Sequence, residues 1–152
     1  MKSPTSYYEW IECFNYIKDK PRNDMYLELL NKGRIDADQG LILKLVKELT
    51  NVIGYRIENI VNEFMQYINS GIDYNGLSLQ IVSLRKEFNY AKKLVYLNIF
   101  PKNISDELAK TIQTKADQMQ DILVNKTEYM DRSGILNSLI KNNPINKLEE
   151  IK

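Results

Sequence analysis

Asp117 and Asp121 stand four residues apart, close enough on a helix for two carboxylates to share a cation. Gln118 and Gln120 sit beside them, and two carboxylates alone read first as a solvated face. The chain has no histidine. That absence excludes Ser-His-Asp and Cys-His catalysis, HExxH zinc sites and the Glu-x-x-His pairs of a ferritin-like di-iron bundle. The single cysteine, Cys13, rules out cysteine-based zinc sites and an internal disulfide. It lies among Trp10, Ile11, Phe14 and Ile17, where a small core residue is expected rather than a reactive thiol. Carboxylates, lysines or tyrosines could still act as acids and bases, but no convergent set of them is visible. We therefore expect no catalytic residue, no cofactor and no metal.

Two near-motifs fail on their own chemistry. Gly71-x₄-Gly76-Leu77-Ser78 has Leu77 where a P-loop needs its phosphate-binding lysine, and no strand precedes it. Asp36-Ala37-Asp38-Gln39-Gly40 resembles the start of a calcium loop. Its glycine comes one place early, and Lys47 stands where the bidentate glutamate belongs.

The basic residues raise a binding question instead. Two short helices joined by Lys18-Asp19-Lys20-Pro21-Arg22 invite a helix-turn-helix reading. The would-be recognition helix starts Asn23-Asp24-Met25-Tyr26-Leu27-Glu28, with two acids and no base-reading arginine. Further on, Arg85, Lys86, Lys92 and Lys93 share a helix on which Leu79, Val82, Tyr90 and Leu97 lie close to Lys86 and Lys93. Two readings follow. Neighbouring helices cover this second apolar side while the lysines snorkel out, or Leu79, Val82, Lys86, Tyr90, Lys93 and Leu97 form a partner surface. Arg56 is the other exception to plain patterning. It falls between Ile53 and Ile60 on an apolar helix side, so its guanidinium needs an acid or carbonyl partner, either within the fold as a buried ion pair or on a ligand.

The elements that must position these residues are helices throughout. Ile42, Val46, Leu49, Ile53, Ile57, Ile60, Phe64 and Ile68 are spaced by 4, 3, 4, 4, 3, 4 and 4, one side of a long helix over 36–70. The step is slightly over 3.6, so a bundle helix is expected and not a heptad zipper. Asp36 with Gln39 is its expected cap, and Gly54 its weak point, marking a bend or a close crossing. Leu77, Ile81, Leu84, Phe88, Ala91 and Val95 give a second long helix over 76–99. Ser105 is the expected cap of a third over 105–130, with a thinner face of Leu108, Ile112, Ala116, Met119, Leu123 and Met130.

A capping box, Ser6 with Glu9, opens a short helix over 6–18, and Asn23 caps another over 23–32. A break at Asp131-Arg132-Ser133-Gly134 precedes a short C-terminal helix. The predicted fold is an all-α antiparallel bundle, with one domain over 1–144 and a polar tail over 145–152 that frays or docks loosely.

The 152 residues carry 21 Lys+Arg against 20 Asp+Glu, so no global attraction to polyanions is expected. No apolar run is long enough to span a membrane, and the N-terminus has no signal-peptide pattern. A cytoplasmic protein is the expectation. These readings point to a non-enzymatic protein that acts by protein–protein interaction, as a regulator, adaptor, inhibitor or immunity-type factor. The alternative is a nucleic-acid accessory protein using Lys18, Lys20, Arg22, Lys86, Lys92 and Lys93. Self-association is compatible with either.

Overall fold

Ser6, Asn23, Asp38 and Asp73 each accept a hydrogen bond from the backbone N–H three residues on, and each opens a helix. The computed structural model describes residues 2–36, 38–128 and 134–151. Six helices run through them: α1 (Tyr7–Lys18), α2 (Asp24–Asn31), α3 (Gln39–Ser70), α4 (Tyr74–Val95), α5 (Lys102–Thr127) and α6 (Ile135–Asn142). No strand occurs among the described residues. None of their helices is long and apolar enough to cross a membrane.

Several boundaries differ from the sequence expectation, each for a local reason. The long helix starts at Gln39, because Asp38 and not Asp36 binds the free N–H of Leu41 at 2.9 Å. Helix α4 starts at Tyr74 because Asp73 caps it, and Tyr67 holds that cap by donating to Asp73 Oδ1 at 2.7 Å. It ends at Val95, and Leu97 and Phe100 then turn inward to be buried. Ser105 is not a cap. Pro101 occupies the N-cap position of α5, and Ser105 is buried within the first turns. The Glu9 carboxylate reaches back one residue further than a capping box requires, accepting from the Thr5 N–H and hydroxyl. Met130 and the Asp131-Arg132-Ser133 break lie outside the described residues.

Helix α4 is the centre of the fold. It packs against α3, α5 and α6, and α1 lies along α3. The short connections α3–α4 and α4–α5 make these neighbours antiparallel. The expected α4 face, Leu77, Ile81, Leu84, Phe88, Ala91 and Val95, is buried throughout. On α3, Leu49, Ile53, Ile57, Phe64 and Ile68 are buried as the spacing implied. Leu45 and Val52 join them on a side the pattern did not mark, while Ile42, Val46 and Ile60 are only half-buried.

Trp10 anchors the N-terminal end. It is fully buried, and its indole donates to the Arg34 carbonyl at 2.9 Å. The α2–α3 connection passes so close that a Cβ on Gly33 would lie 2.7 Å from the Trp10 ring and 2.8 Å from the Pro4 carbonyl, so only glycine fits.

The C-terminal residues are not a frayed tail. Ile145 is fully buried, its N–H bound by Gln120 Oε1 at 2.9 Å. Asn146 donates to Asp117 Oδ1 at 3.0 Å, and the Glu149 N–H donates to Asn89 Oδ1 at 2.9 Å. The segment thus bridges α4 and α5.

Candidate functional site

Three places could carry function: the Arg56 site, the second side of α4, and a groove between α3 and α5. Arg56 and Glu87 meet where α3 packs on α4. Arg56 Nε lies 2.7 Å from Glu87 Oε1 and its NH2 3.2 Å from Oε2, a bidentate pair. NH1 donates to the carbonyls of Ile17, at 2.6 Å, and Lys20, at 2.5 Å. The guanidinium therefore also satisfies carbonyls left open at the end of α1. Its plane stacks 4.9 Å from the Tyr90 ring centroid. Arg22 adds a second cation, with NH1 3.0 Å from Glu87 Oε2. The Arg56 and Glu87 side chains are 8% and 5% exposed, and no buried side-chain polar atom among the described residues lacks a partner. The cluster is satisfied within the fold, and a surface depression shared with Lys18, Asn59 and Glu63 reaches its edge. Its work is to tie α3, α4 and the α1–α2 loop together.

On the second side of α4, Lys86, Tyr90 and Lys93 of the six expected surface residues border one depression with Arg22 and Glu149, and Leu79, Val82 and Leu97 are not part of it. Tyr90 and Leu97 are 3% and 1% exposed, which corrects their reading as surface anchors. Tyr90 is covered by Arg56 and by the start of α2, and burial raises the pKa of its phenol. The docked C-terminal segment accounts for the lysines nearby. Lys92 donates to the Glu149 carbonyl at 2.6 Å, and Lys93 lies 3.7 Å from the Glu149 carboxylate. Leu79 and Lys86 are exposed and Val82 is half-buried, too little for a contiguous apolar patch. The basic α1–α2 loop is likewise engaged. Lys18 sits 4.6 Å over the Tyr55 ring, Lys20 5.5 Å over Tyr16, and Arg22 on Glu87.

Asp117 accepts from Gln113 and Asn146, and no group of three metal-ligating side chains occurs among the described residues. Cys13 is half-buried. Burial pushes its thiol pKa up and the carboxylates of Glu12 and Glu9 add to this, opposed by a hydrogen bond to Tyr26. The thiolate is therefore scarce near neutral pH. Iodoacetamide at pH 7.5 is expected to alkylate folded Cys13 more slowly than the unfolded chain, followed by mass spectrometry.

The remaining place was not marked in the sequence. Helices α3 and α5 border a groove of about 500 Å³ beside α4. Ile53, Ile57 and Val61 of α3 form one wall, Leu108 and Ile112 of α5 the other, and Val95 of α4 the floor. Gly54 opens it. A Cβ built there meets nothing within 4 Å, so the expected close helix crossing is absent and the helix runs on unbroken through this position. The rims carry Glu58 on α3 and Lys115 on α5. The hint available in the sequence was the coincidence of Gly54 with the thin apolar face of α5. Neither alone says that the two helices face each other across a gap. Comparison with family models, with curated proteins and with solved structures finds no match.

Proposed function

We propose that this protein is a non-enzymatic helical module that works by holding a partner protein in the groove between α3 and α5. The groove itself carries the reading. It is a mainly apolar channel, while α1 packs along α3, and α6 and the C-terminal segment pack on part of α4 and α5. Catalysis finds no support in the geometry. The buried charges neutralise one another, and the groove is lined by one carboxylate and one amine on opposite rims. A regulator, adaptor or inhibitor needs no more than such a channel. The nucleic-acid alternative is less well supported, because Arg22, Lys92 and Lys93 are already engaged within the fold.

Gly54→Leu tests the proposal without threatening the fold. The position has free space and lies inside a helix, where leucine is preferred to glycine by up to ~1 kcal/mol. The melting temperature is expected to hold or to rise by roughly 2–4 °C. The leucine side chain then occupies the groove. Wild-type protein immobilised and passed through lysate of its own cells is expected to retain a partner in near-stoichiometric amount, and Gly54→Leu to lose it. Identical retention by the two proteins, or none by the wild type, would overturn the proposal.

A further inference from the structure

We infer that the groove receives a single amphipathic helix of the partner, with an acidic flank over Lys115 and a basic flank over Glu58. This rests on the binding role proposed above. Both walls are helices in mid-course, whose N–H and C=O groups are bound internally. The rim threonine hydroxyls donate within their own helices, Thr50 to the Val46 carbonyl and Thr111 to the Glu107 carbonyl. An extended segment laid in the groove would find side-chain partners only at the rims, at Glu58, Asn62 and Lys115, and its backbone groups against the apolar walls would have none. A helix satisfies its own backbone and presents only side chains.

The α3 wall runs from Thr50 to Asn62, ~18 Å of helix, which matches about three turns of an added one. A second copy of this chain offering the same groove would set concavity against concavity and leave the space unfilled. A convex ridge is needed, and one helix supplies it.

Lys115 is half-buried on the α5 rim, and Glu58 is exposed on the α3 rim. Neither has an ion-pair partner among the described residues. The groove is therefore electrically polarised across its width, and the partner helix that matches it carries opposite charges on its two flanks.

A fluorescein-labelled, lactam-bridged peptide of about 16 residues tests this, with leucines at i, i+4, i+7 and i+11, glutamates along one flank and lysines along the other. Binding to the full chain is read by fluorescence polarisation. The wild type is expected to bind and Gly54→Leu to lose at least about tenfold in affinity. Lys115→Glu is expected to lose about tenfold, since one rim pair turns repulsive. Adding Glu58→Lys to that variant should restore affinity, because the same peptide meets the exchanged rims by binding in the opposite direction. A lone structural effect of Lys115→Glu would not be rescued this way.

No binding by the wild type, equal binding by Gly54→Leu, or no rescue would each overturn the inference. So would a dimer of the protein itself that Gly54→Leu dissociates, which assigns the groove to a second copy. If the peptide fails while capture of a cellular protein still depends on Gly54, the binding role stands and the helical occupant falls. If the peptide binds and nothing is captured from lysate, the helical fit stands and the cellular role falls.

Discussion

Glu87→Ala is expected to lower stability by about 3–5 kcal/mol, read as a lower urea midpoint with an unchanged m-value. Glu87 is the only acid in contact with two arginines among the described salt bridges, and it is 4% exposed. Removing it leaves the Arg56 guanidinium buried without a counter-charge, and that uncompensated charge is the dominant cost. Arg22 suffers less, since its side chain is 32% exposed and can be hydrated. The pair itself need not be strongly stabilising, because bringing both ions out of water costs nearly what their attraction returns. A second outcome follows from that balance. Arg56→Met combined with Glu87→Leu is expected to recover most of the loss. The carbonyls that Arg56 serves are not stranded by the change. Ile17 still accepts from the backbone N–H groups of Asp19 and Lys20, and Lys20 is exposed to water. A double variant as unstable as Glu87→Ala would show instead that Arg56 stabilises mainly through the α1 carbonyls and not through its charge pair.

Arg56 was legible in the sequence because it interrupted an apolar side of α3, and any charge in that position must find a partner. Glu87 was legible in principle too. It stands three residues after Leu84 and four before Ala91, on the edge of the buried α4 face. Helix periodicity names such edge residues but does not say whether water or a neighbour meets them. The same limit explains α4's second side. Tyr90 and Leu97 are apolar residues off the main face, and Tyr90 is covered by Arg56 and the start of α2. Those contacts depend on how distant parts of the chain fold back. The groove escaped notice for the opposite reason. Its walls are ordinary core residues, Ile53, Ile57, Leu108 and Ile112, and only the separation of α3 from α5 turns them into a channel. Periodicity sets which side of a helix is apolar and leaves open how closely two such sides approach.

The C-terminal segment gives the other large effect. Ile145→Ala is expected to cost about 2–5 kcal/mol, comparable to truncating a central core residue. By composition, residues 145–152 are mostly polar and resemble a solvated end. One isoleucine among them changes the outcome. Ile145 is 0% exposed, and its N–H is bound by the Gln120 amide oxygen. Around it the polar residues that looked like solvating groups serve as backbone partners. Gln113 donates to the Asn146 carbonyl at 2.8 Å, Arg85 reaches the Pro144 carbonyl at 3.4 Å, and Asn89 receives the Glu149 N–H.

These bonds are mostly half-exposed, so each is worth little next to the buried side chain. The contrast is measurable within one segment. Glu149→Ala removes an ion pair of 3.7 Å between side chains 40% and 62% exposed, and is expected to change stability by less than about 1 kcal/mol. Ending the chain at Asn143 should exceed the Ile145→Ala loss, because it also strips partners from Asp117, Gln120 and Lys92 and wets the α4–α5 seam. Urea midpoints of the three proteins therefore order as Glu149→Ala, Ile145→Ala and truncation, from the smallest loss to the largest. Equal midpoints for the wild type and the truncated chain would mean that residues 144–152 contribute nothing to the fold in solution. In that case Arg85, Lys92 and Lys93 would be left facing solvent on α4.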